Sequence, residues 1–177
     1  RGAMAEVRDD ITLDALWNEA VGRWADRPFL AVPPNHNRAY LPDGLEMTYG
    51  DADRDIRALV EGYRAAGYGI GHRVAVLMEN RPEHVLHRLA LNFIGVSVVP
   101  INPDYRVGEI AYLLEHSQPE LVLVVDDRIE QIEDSLAASA HRPPWHVPDF
   151  GVRPPAPSRP ARPGKPTPET EAQILYT

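Results

Sequence analysis

Helical and strand spacings of apolar residues alternate along the first 140 residues. Helical stripes are predicted over residues 12–24, 48–67, 82–95, 110–114 and 129–136. Between them lie the apolar runs FLAV, RVAVLM, SVVPI and LVLVV, which are typical of strands. From RVAVLM onward, strands and helices alternate, which is the order of βαβ units with helical crossovers. The predicted fold class is therefore α/β, with a parallel sheet and flanking helices.

Capping and stop signals place several helix ends. Thr48 followed by Asp51 resembles a capping box at the start of the second helix. Pro82 suits the first turn of the third helix, and Gly67 and Gly95 are expected to end the second and third. Gly95 is expected to adopt a left-handed backbone because the chain must reverse into SVVPI at once.

Two stretches with glycine are interpreted as turns. The letters PDG between NRAY and LEMTY predict a hairpin. The stretch GYGIGHR, residues 67–73, follows a helix and precedes a strand, which reverses the order of a dinucleotide-binding loop. We therefore interpret it as a helix stop followed by a turn.

Composition excludes several classes of protein. With 44% apolar and 25% charged residues, the chain resembles an ordinary globular domain. A formal net charge of −8 argues against binding to a nucleic-acid backbone. No apolar run approaches the roughly 20 residues of a transmembrane helix, so no transmembrane segment is expected and a cytoplasmic location is predicted. The lack of cysteine excludes disulfides, a thiolate nucleophile and cysteine zinc sites.

The composition changes after residue 140. Prolines cluster between residues 143 and 168, and proline forms neither helix interiors nor inner strands. We expect an α/β subdomain over residues 4–140, an extended connector over residues 141–171 and a strand over residues 172–177. The basic residues of the connector leave two interpretations open, a partner-binding tail and a solvated connector, and the second is favoured.

No complete catalytic set is evident from the residues alone. His84 and His87 lie one helical turn apart and are either a metal pair or partly exposed helix histidines, and the second is favoured. Asp126 and Asp127 follow a predicted strand, where ligands often bind, but helix capping by Asp127 is the favoured role. Two serines invite a nucleophile interpretation without lying in a G-x-S-x-G motif, and these are Ser97 and Ser117.

Three blocks in order resemble the acyl-adenylate-forming, or AMP-binding, superfamily. The first block is MTYGDADRDIRALVEGYRAAGYGIGHRVAVLMENRPEHV, and the second is LNFIGVSVVPINPDYRVGEIAYLLEHS. The third is ILYT at the end of the chain, which in the family enters a Ser/Thr/Gly-rich loop that ends in lysine and holds the phosphates of ATP. The resemblance covers residues 12–177 and implies the N-terminal portion of the large domain of an adenylate-forming enzyme.

The resemblance implies two site residues in this chain. Thr177 would contribute its hydroxyl to the ATP phosphates. Arg106 follows the V-P-I-N-P turn, where some CoA ligases place basic residues near the CoA phosphates, although a surface arginine is the favoured interpretation. Asp104 departs from relatives that carry a basic residue there, which counts against the CoA role. No catalytic residue and no metal ligand is assigned.

For the complete enzyme, the resemblance implies an ATP-dependent acid–thiol ligase that uses Mg²⁺ and CoA. A carboxylic acid would react with ATP to give acyl-AMP, and a thiol would then displace AMP. The alternatives are an adenylation domain of the peptide-synthetase type and a non-catalytic α/β binding module. The 177 residues alone are expected to fold, to lack catalytic activity and to self-associate through apolar surface that the rest of the enzyme would cover.

Overall fold

The computed structural model describes residues 10–148 and 153–176. Five α-helices and six strands lie within these ranges. The helices are α1 (Leu13–Trp24), α2 (Tyr49–Ala66), α3 (Pro82–Phe93), α4 (Val107–Ser117) and α5 (Ile129–Ala138). The strands are β1 (Pro28–Val32), β2 (Leu45–Thr48), β3 (Arg73–Leu77), β4 (Ser97–Ile101), β5 (Leu121–Val124) and β6 (Trp145–His146).

Strands β3 to β6 form one parallel sheet in the order β4-β3-β5-β6. Helices cover both of its faces, because alternate residues of a strand point to opposite sides. Val74 and Val76 face a core with α1, α2 and α3, and Ala75 and Leu77 face a core with α4 and α5. All four side chains are fully buried, as in a central parallel strand. The predicted α/β class with a parallel sheet is confirmed.

The predicted capping signals are present. Thr48 Oγ1 accepts a hydrogen bond from the Asp51 N–H at 3.1 Å, and Asp51 Oδ2 accepts one from the Thr48 N–H at 3.2 Å. Pro82 is the first residue of α3. Gly67 and Gly95 both have the expected left-handed backbone, with φ of 100° and 80°. These local signals fix where α2 begins and where α2 and α3 end.

The hairpin predicted between NRAY and LEMTY is wrong in its first strand. β2 pairs antiparallel with β1, which contains FLAV, and residues 33–44 form a loop between them. In that loop the Arg38 guanidinium donates to the carbonyls of Pro33, Tyr40 and Leu41 at 3.0, 2.8 and 2.6 Å. Since a side chain satisfies these carbonyls, NRAY needs no strand partner, and the apolar FLAV strand pairs with β2.

The proline-rich segment crosses the amino edge of the sheet. β6 is one edge strand, and Gln173 pairs in parallel with Val98 of β4 at the other edge. Because both edges run in the same direction, the chain between them must return to the amino ends of the strands. In the described residues 153–172 it does so without helix or strand, as predicted.

This crossing segment is largely exposed to solvent and is also hydrogen-bonded to the domain. Glu120, directly before β5, accepts hydrogen bonds from the Ser158 N–H and hydroxyl at 2.8 and 2.6 Å and from Arg159 Nε at 2.6 Å. Burial alone would raise the pKa of Glu120, but these hydrogen bonds outweigh burial and hold the pKa below its ordinary value. Further on, the Arg162 N–H donates to the Ile70 carbonyl at 2.8 Å. Most of residues 153–172 are exposed, as the solvated-connector interpretation expects, but the segment is also held at specific points by the domain. The proposed division at residues 140 and 171 stays a prediction.

The turn predicted in GYGIGHR packs against the crossing segment, and its glycines allow the close approach. A Cβ atom on Gly69 would lie 2.9 Å from the Cβ of Ala161, closer than such atoms approach. Next to it, Tyr68 donates its hydroxyl to the Pro155 carbonyl at 2.8 Å, and His72 Nε2 lies 3.0 Å from the Arg159 carbonyl oxygen. The glycines of this turn therefore leave room for the crossing segment of the same chain, and they do not form a phosphate-binding loop.

Candidate functional site

A polar cleft lies at the carboxyl edge of the sheet, where ligands of parallel α/β folds bind. Its volume is about 550 Å³. It is lined by residues that follow β3 and β4, by the turn before α5, and by the end of the described chain. The polar lining residues are Glu79, Asn80, His84, Asn102, Asp104, Tyr105, Arg128 and Tyr176.

An ion pair fixes one wall of the cleft. Arg128 donates to Glu79 Oε1 through Nη2 at 2.6 Å and through Nε at 3.1 Å. Burial alone would raise the pKa of Glu79, but the hydrogen bonds and charge of Arg128 outweigh it and lower the pKa. Glu79 is therefore an ionised partner for Arg128 at neutral pH and is poorly suited to act as a general acid.

The two helix histidines have different environments. His84 lines the cleft, and burial lowers its pKa, with the charge of Arg88 adding to the effect. His87 is buried, and its Nδ1 lies 2.7 Å from the hydroxyl of Tyr63. Burial, with smaller contributions from His146 and His84, lowers the pKa of His87 to about 4. The prediction of partly exposed histidines holds for His84 and is wrong for His87, because α2 supplies a polar partner inside the core.

The paired aspartates and the two serines singled out in the sequence lie outside the lining of the cleft. Asp126 and Asp127 are exposed in a short 3₁₀ turn, and neither this turn nor α5 has a side-chain cap at its start. Capping by Asp127 is therefore wrong, since the backbone bond from Arg128 N–H to the Val125 carbonyl closes the turn instead. Ser117 donates its hydroxyl to the Leu113 carbonyl at 2.6 Å, and Ser97 is buried in β4.

Arg106 lies beside the cleft rather than in its lining. It is exposed directly before α4, and its backbone N–H donates to Glu109 Oε2 at 2.7 Å. Its neighbours Asp104 and Tyr105 line the cleft. The position leaves the guanidinium accessible to an anion approaching this edge, and the CoA role stays a prediction.

The last described residues run toward the cleft. The Ala172 carbonyl accepts from the Val98 N–H, and the Ile174 N–H donates to the Val98 carbonyl, each at 3.0 Å. The predicted strand is thus a single parallel bridge at the outer edge of β4. Tyr176 reaches the cleft lining, and Thr177 lies outside the described residues.

Three comparisons bear on this geometry. The family model described as "AMP-binding enzyme" matches residues 17–177. The chain belongs to the AMP-binding enzyme family. It is 29% identical to the sulfoacetate–CoA ligase of Cupriavidus necator over 171 residues, which are 94% of this chain and 32% of that protein. It is 32% identical to tyrocidine synthase 3 of Brevibacillus parabrevis over 114 residues, 64% of this chain and 2% of that protein.

The fold agrees with a solved member of the group. An anthranilate–CoA ligase in complex with anthranoyl-AMP superimposes with a TM-score of 0.74 at 17% identity, over 97% of this chain and 32% of that one. The chain therefore spans about a third of the length of these two CoA ligases. At this identity, the structural likeness shows the fold alone.

Several contacts of this chain had no signal in the sequence. The contacts of Glu120 with Ser158 and of Tyr105 with Tyr176 join residues 38 and 71 positions apart. Neither pair belongs to a motif, so local spacing could not find them. Within the described ranges, no three His, Cys, Asp or Glu side chains are grouped to hold a metal ion, and no described helix has the length and apolar character needed to span a membrane.

Proposed function

We propose that this chain is the N-terminal part of an ATP-dependent acyl-CoA ligase. Membership of the AMP-binding family supports the proposal most directly, because the family match runs to the last residue of the chain. The CoA ligase of Cupriavidus necator, similar over nearly the whole chain, supports the choice of acceptor. A small carboxylic acid, ATP and CoA are the proposed substrates.

The proposed reaction has two steps. In the first, a carboxylate oxygen attacks the α-phosphorus of ATP, the bond to the pyrophosphate breaks, and acyl-AMP forms. In the second, the sulfur of CoA attacks the acyl carbonyl, its proton is lost to solvent or a base, and AMP leaves. Chemistry of this kind depends mainly on positioning and on stabilisation of phosphate charge.

Within this chain, the proposed contact with ATP is the hydroxyl of Thr177. The backbone of residues 172–174 bonds to β4, and Tyr176 reaches the cleft at the carboxyl edge. Thr177 follows directly, so its hydroxyl would enter a phosphate-binding loop of backbone N–H groups and hydroxyls. Arg106 is the proposed contact for a CoA phosphate, because it is exposed on the same side of the sheet.

Mg²⁺ would neutralise charge on the ATP phosphates when bound. The described residues contain no group of three potential ligand side chains, so they do not form an all-protein cage for the ion. Mg²⁺ usually keeps several waters and is held by phosphates and one or two carboxylates. Its remaining ligands are therefore assigned to the rest of the complete enzyme.

A second candidate is an adenylation domain that transfers the acyl group to a carrier protein. The similarity to tyrocidine synthase 3 favours it, because identity there is slightly higher than to the CoA ligase, over a shorter stretch. The two candidates share the first step and differ only in the thiol that accepts the acyl group. A stand-alone binding module would perform neither step.

The complete protein that carries this chain provides the test. Pyrophosphate exchange into ATP is measured with a panel of aliphatic, aromatic and amino acids, and AMP release is then measured with and without CoA. The proposal expects acid-dependent exchange and CoA-dependent AMP release. Exchange without a CoA effect would identify the peptide-synthetase type, and no exchange with any acid would favour the binding module.

A further inference from the structure

The backbone hydrogen bonds to β4 stop before the end of the described chain. Val98 makes both of these bonds, one to the Ala172 carbonyl and one from the Ile174 N–H. Leu175 is 70% exposed, whereas its neighbours Ile174 and Tyr176 are partly buried against the core with α4 and α5. Side chains of other elements add hydrogen bonds to Tyr176, the last described residue.

Two side chains from other elements contact Tyr176. The hydroxyl of Tyr105, in the loop between β4 and α4, donates to the Tyr176 carbonyl at 3.3 Å. His116 of α4 places Nδ1 at 2.7 Å from the Tyr176 hydroxyl, with the two rings edge to face at 5.6 Å between centroids. One contact holds the main chain of Tyr176, and the other holds the tip of its side chain.

The loop that carries Tyr105 is itself fixed from α5. The Gln131 side-chain amide donates to the carbonyls of Pro103 and Tyr105, each at 2.9 Å. A turn bond from the Tyr105 N–H to the Asn102 carbonyl at 3.0 Å closes the same loop. Tyr105 is thus presented from a backbone held by α5 and by the turn of its own loop, which makes it suited to position another segment.

We propose that Tyr105 and His116 are positioning residues for the ATP phosphates. They fix the backbone of Tyr176 and so set where the next residue, Thr177, presents its hydroxyl. This inference rests on the proposed function, since Thr177 is the proposed phosphate contact. Neither side chain is proposed to touch ATP. Loss of either contact is expected to weaken productive ATP binding, because phosphate chemistry depends on placement of a few tenths of an ångström.

The expected signature is specific for ATP. Tyr105→Phe removes the hydroxyl that reaches the Tyr176 carbonyl, and His116→Ala removes the partner of the Tyr176 hydroxyl. Each is expected to lower kcat/KM for ATP by about 2- to 10-fold, the range for loss of one neutral hydrogen bond. The KM values for the acid and for CoA should stay the same, whereas general damage to the fold would alter all three substrates or the yield of folded enzyme.

A rescue variant and a matched control sharpen the measurement. His116→Asn places an amide close to the position of Nδ1 and should recover most of the loss seen in His116→Ala. Tyr112→Phe is the control, because Tyr112 lies on the same helix, is 63% exposed and stacks its ring on His116. The control keeps the ring and should leave kcat/KM for ATP unchanged.

A double-mutant cycle in the complete enzyme decides the question. The single variants His116→Ala and Tyr176→Phe each remove one half of the same hydrogen bond, so their combination should lose no more than the larger single effect. Additive losses, an unchanged kcat/KM for ATP, or failure of His116→Asn to restore it would overturn the positioning role while leaving acid-dependent exchange intact. A wild-type enzyme without exchange would overturn the proposed function, and this inference with it.

Discussion

Gly95 joins α3 to β4 at a point where neither the backbone nor the surroundings admit a side chain. Its φ of 80° lies in the left-handed region, which costs a residue with a Cβ about 1–2 kcal/mol. A Cβ atom there would lie 2.5 Å from Cγ1 of Ile70 and 3.2 Å from Cγ of Pro166. The 2.5 Å approach to Cγ1 is closer than such atoms come, so the Ile70 side chain or the backbone would have to shift.

Gly95→Ala is expected to destabilise the domain by more than the dihedral angle alone. Overpacking of this kind adds about 1–3 kcal/mol, so the free energy of unfolding should fall by about 2–5 kcal/mol. Urea unfolding of the 177-residue chain, followed by tryptophan fluorescence, measures the change. With a slope of about 1–3 kcal/mol per molar urea, the midpoint should fall by about 1 M or more.

Two other glycines separate the contributions. Gly67 has φ of 100°, and a Cβ atom there would meet only Pro157, at 3.7 Å or more, so Gly67→Ala should cost about 1 kcal/mol from the backbone alone. Gly62 lies within α2 with nothing within 4 Å of a Cβ, and Gly62→Ala should stabilise the domain by up to about 1 kcal/mol. If Gly95→Ala and Gly67→Ala unfolded at the same urea concentration, the steric reasoning about Ile70 would be refuted.

Three further predictions concern the crossing segment, the buried histidine and ATP. Glu120→Ala should lower the free energy of unfolding in urea by about 1.5–3 kcal/mol, because Ser158 and Arg159 lose a charged partner. Glu133 is exposed, so Glu133→Ala is the control. Equal effects of the two substitutions would contradict the role of Glu120 in holding the crossing segment. His87 has a pKa of about 4, against 6.5 for an ordinary histidine. Between these pH values the unfolded chain binds a proton that the native state does not, so stability should fall as the pH drops from 6.5 to 4. His87→Gln should flatten that curve, and an unchanged curve would refute the assignment. Calorimetric titration of ATP into the 177-residue chain should show no saturable binding, because one hydroxyl cannot offset the several kcal/mol that immobilisation costs; micromolar binding would mean that the site is misplaced.

The elements of the fold were predictable because their signals are local. The capping box of Thr48 and Asp51, the proline that begins α3 and the glycine stop at residue 95 each depend on neighbours in sequence. The βαβ order was predictable because residues that face the two cores repeat with helical or strand spacing along the sequence. Even the backbone angle of Gly95 follows from the need to reverse directly from a helix into a strand.

The incorrect predictions involve partners that are distant in sequence. Proline excludes helix and inner strand, but it does not prevent an extended chain from docking, so the contact of Ser158 with Glu120 had no signal in the sequence. His87 looked partly exposed because its polar partner, Tyr63, lies on a different helix. The partner of β2 was misplaced because pairing depends on which apolar strand is available, and the loop around Arg38 satisfies its own carbonyls.

The proposed function makes the Thr177 hydroxyl a contact for the ATP phosphates. Acid-dependent pyrophosphate exchange by the complete enzyme, compared between Thr177→Ala and Thr177→Ser, tests it most directly. A hydrogen bond to a charged oxygen is worth about 1.5–3 kcal/mol, so Thr177→Ala should lower exchange by roughly 10- to 100-fold, while Thr177→Ser keeps the hydroxyl and most of the rate. Equal exchange in the wild type and in a correctly folded Thr177→Ala enzyme would contradict the account.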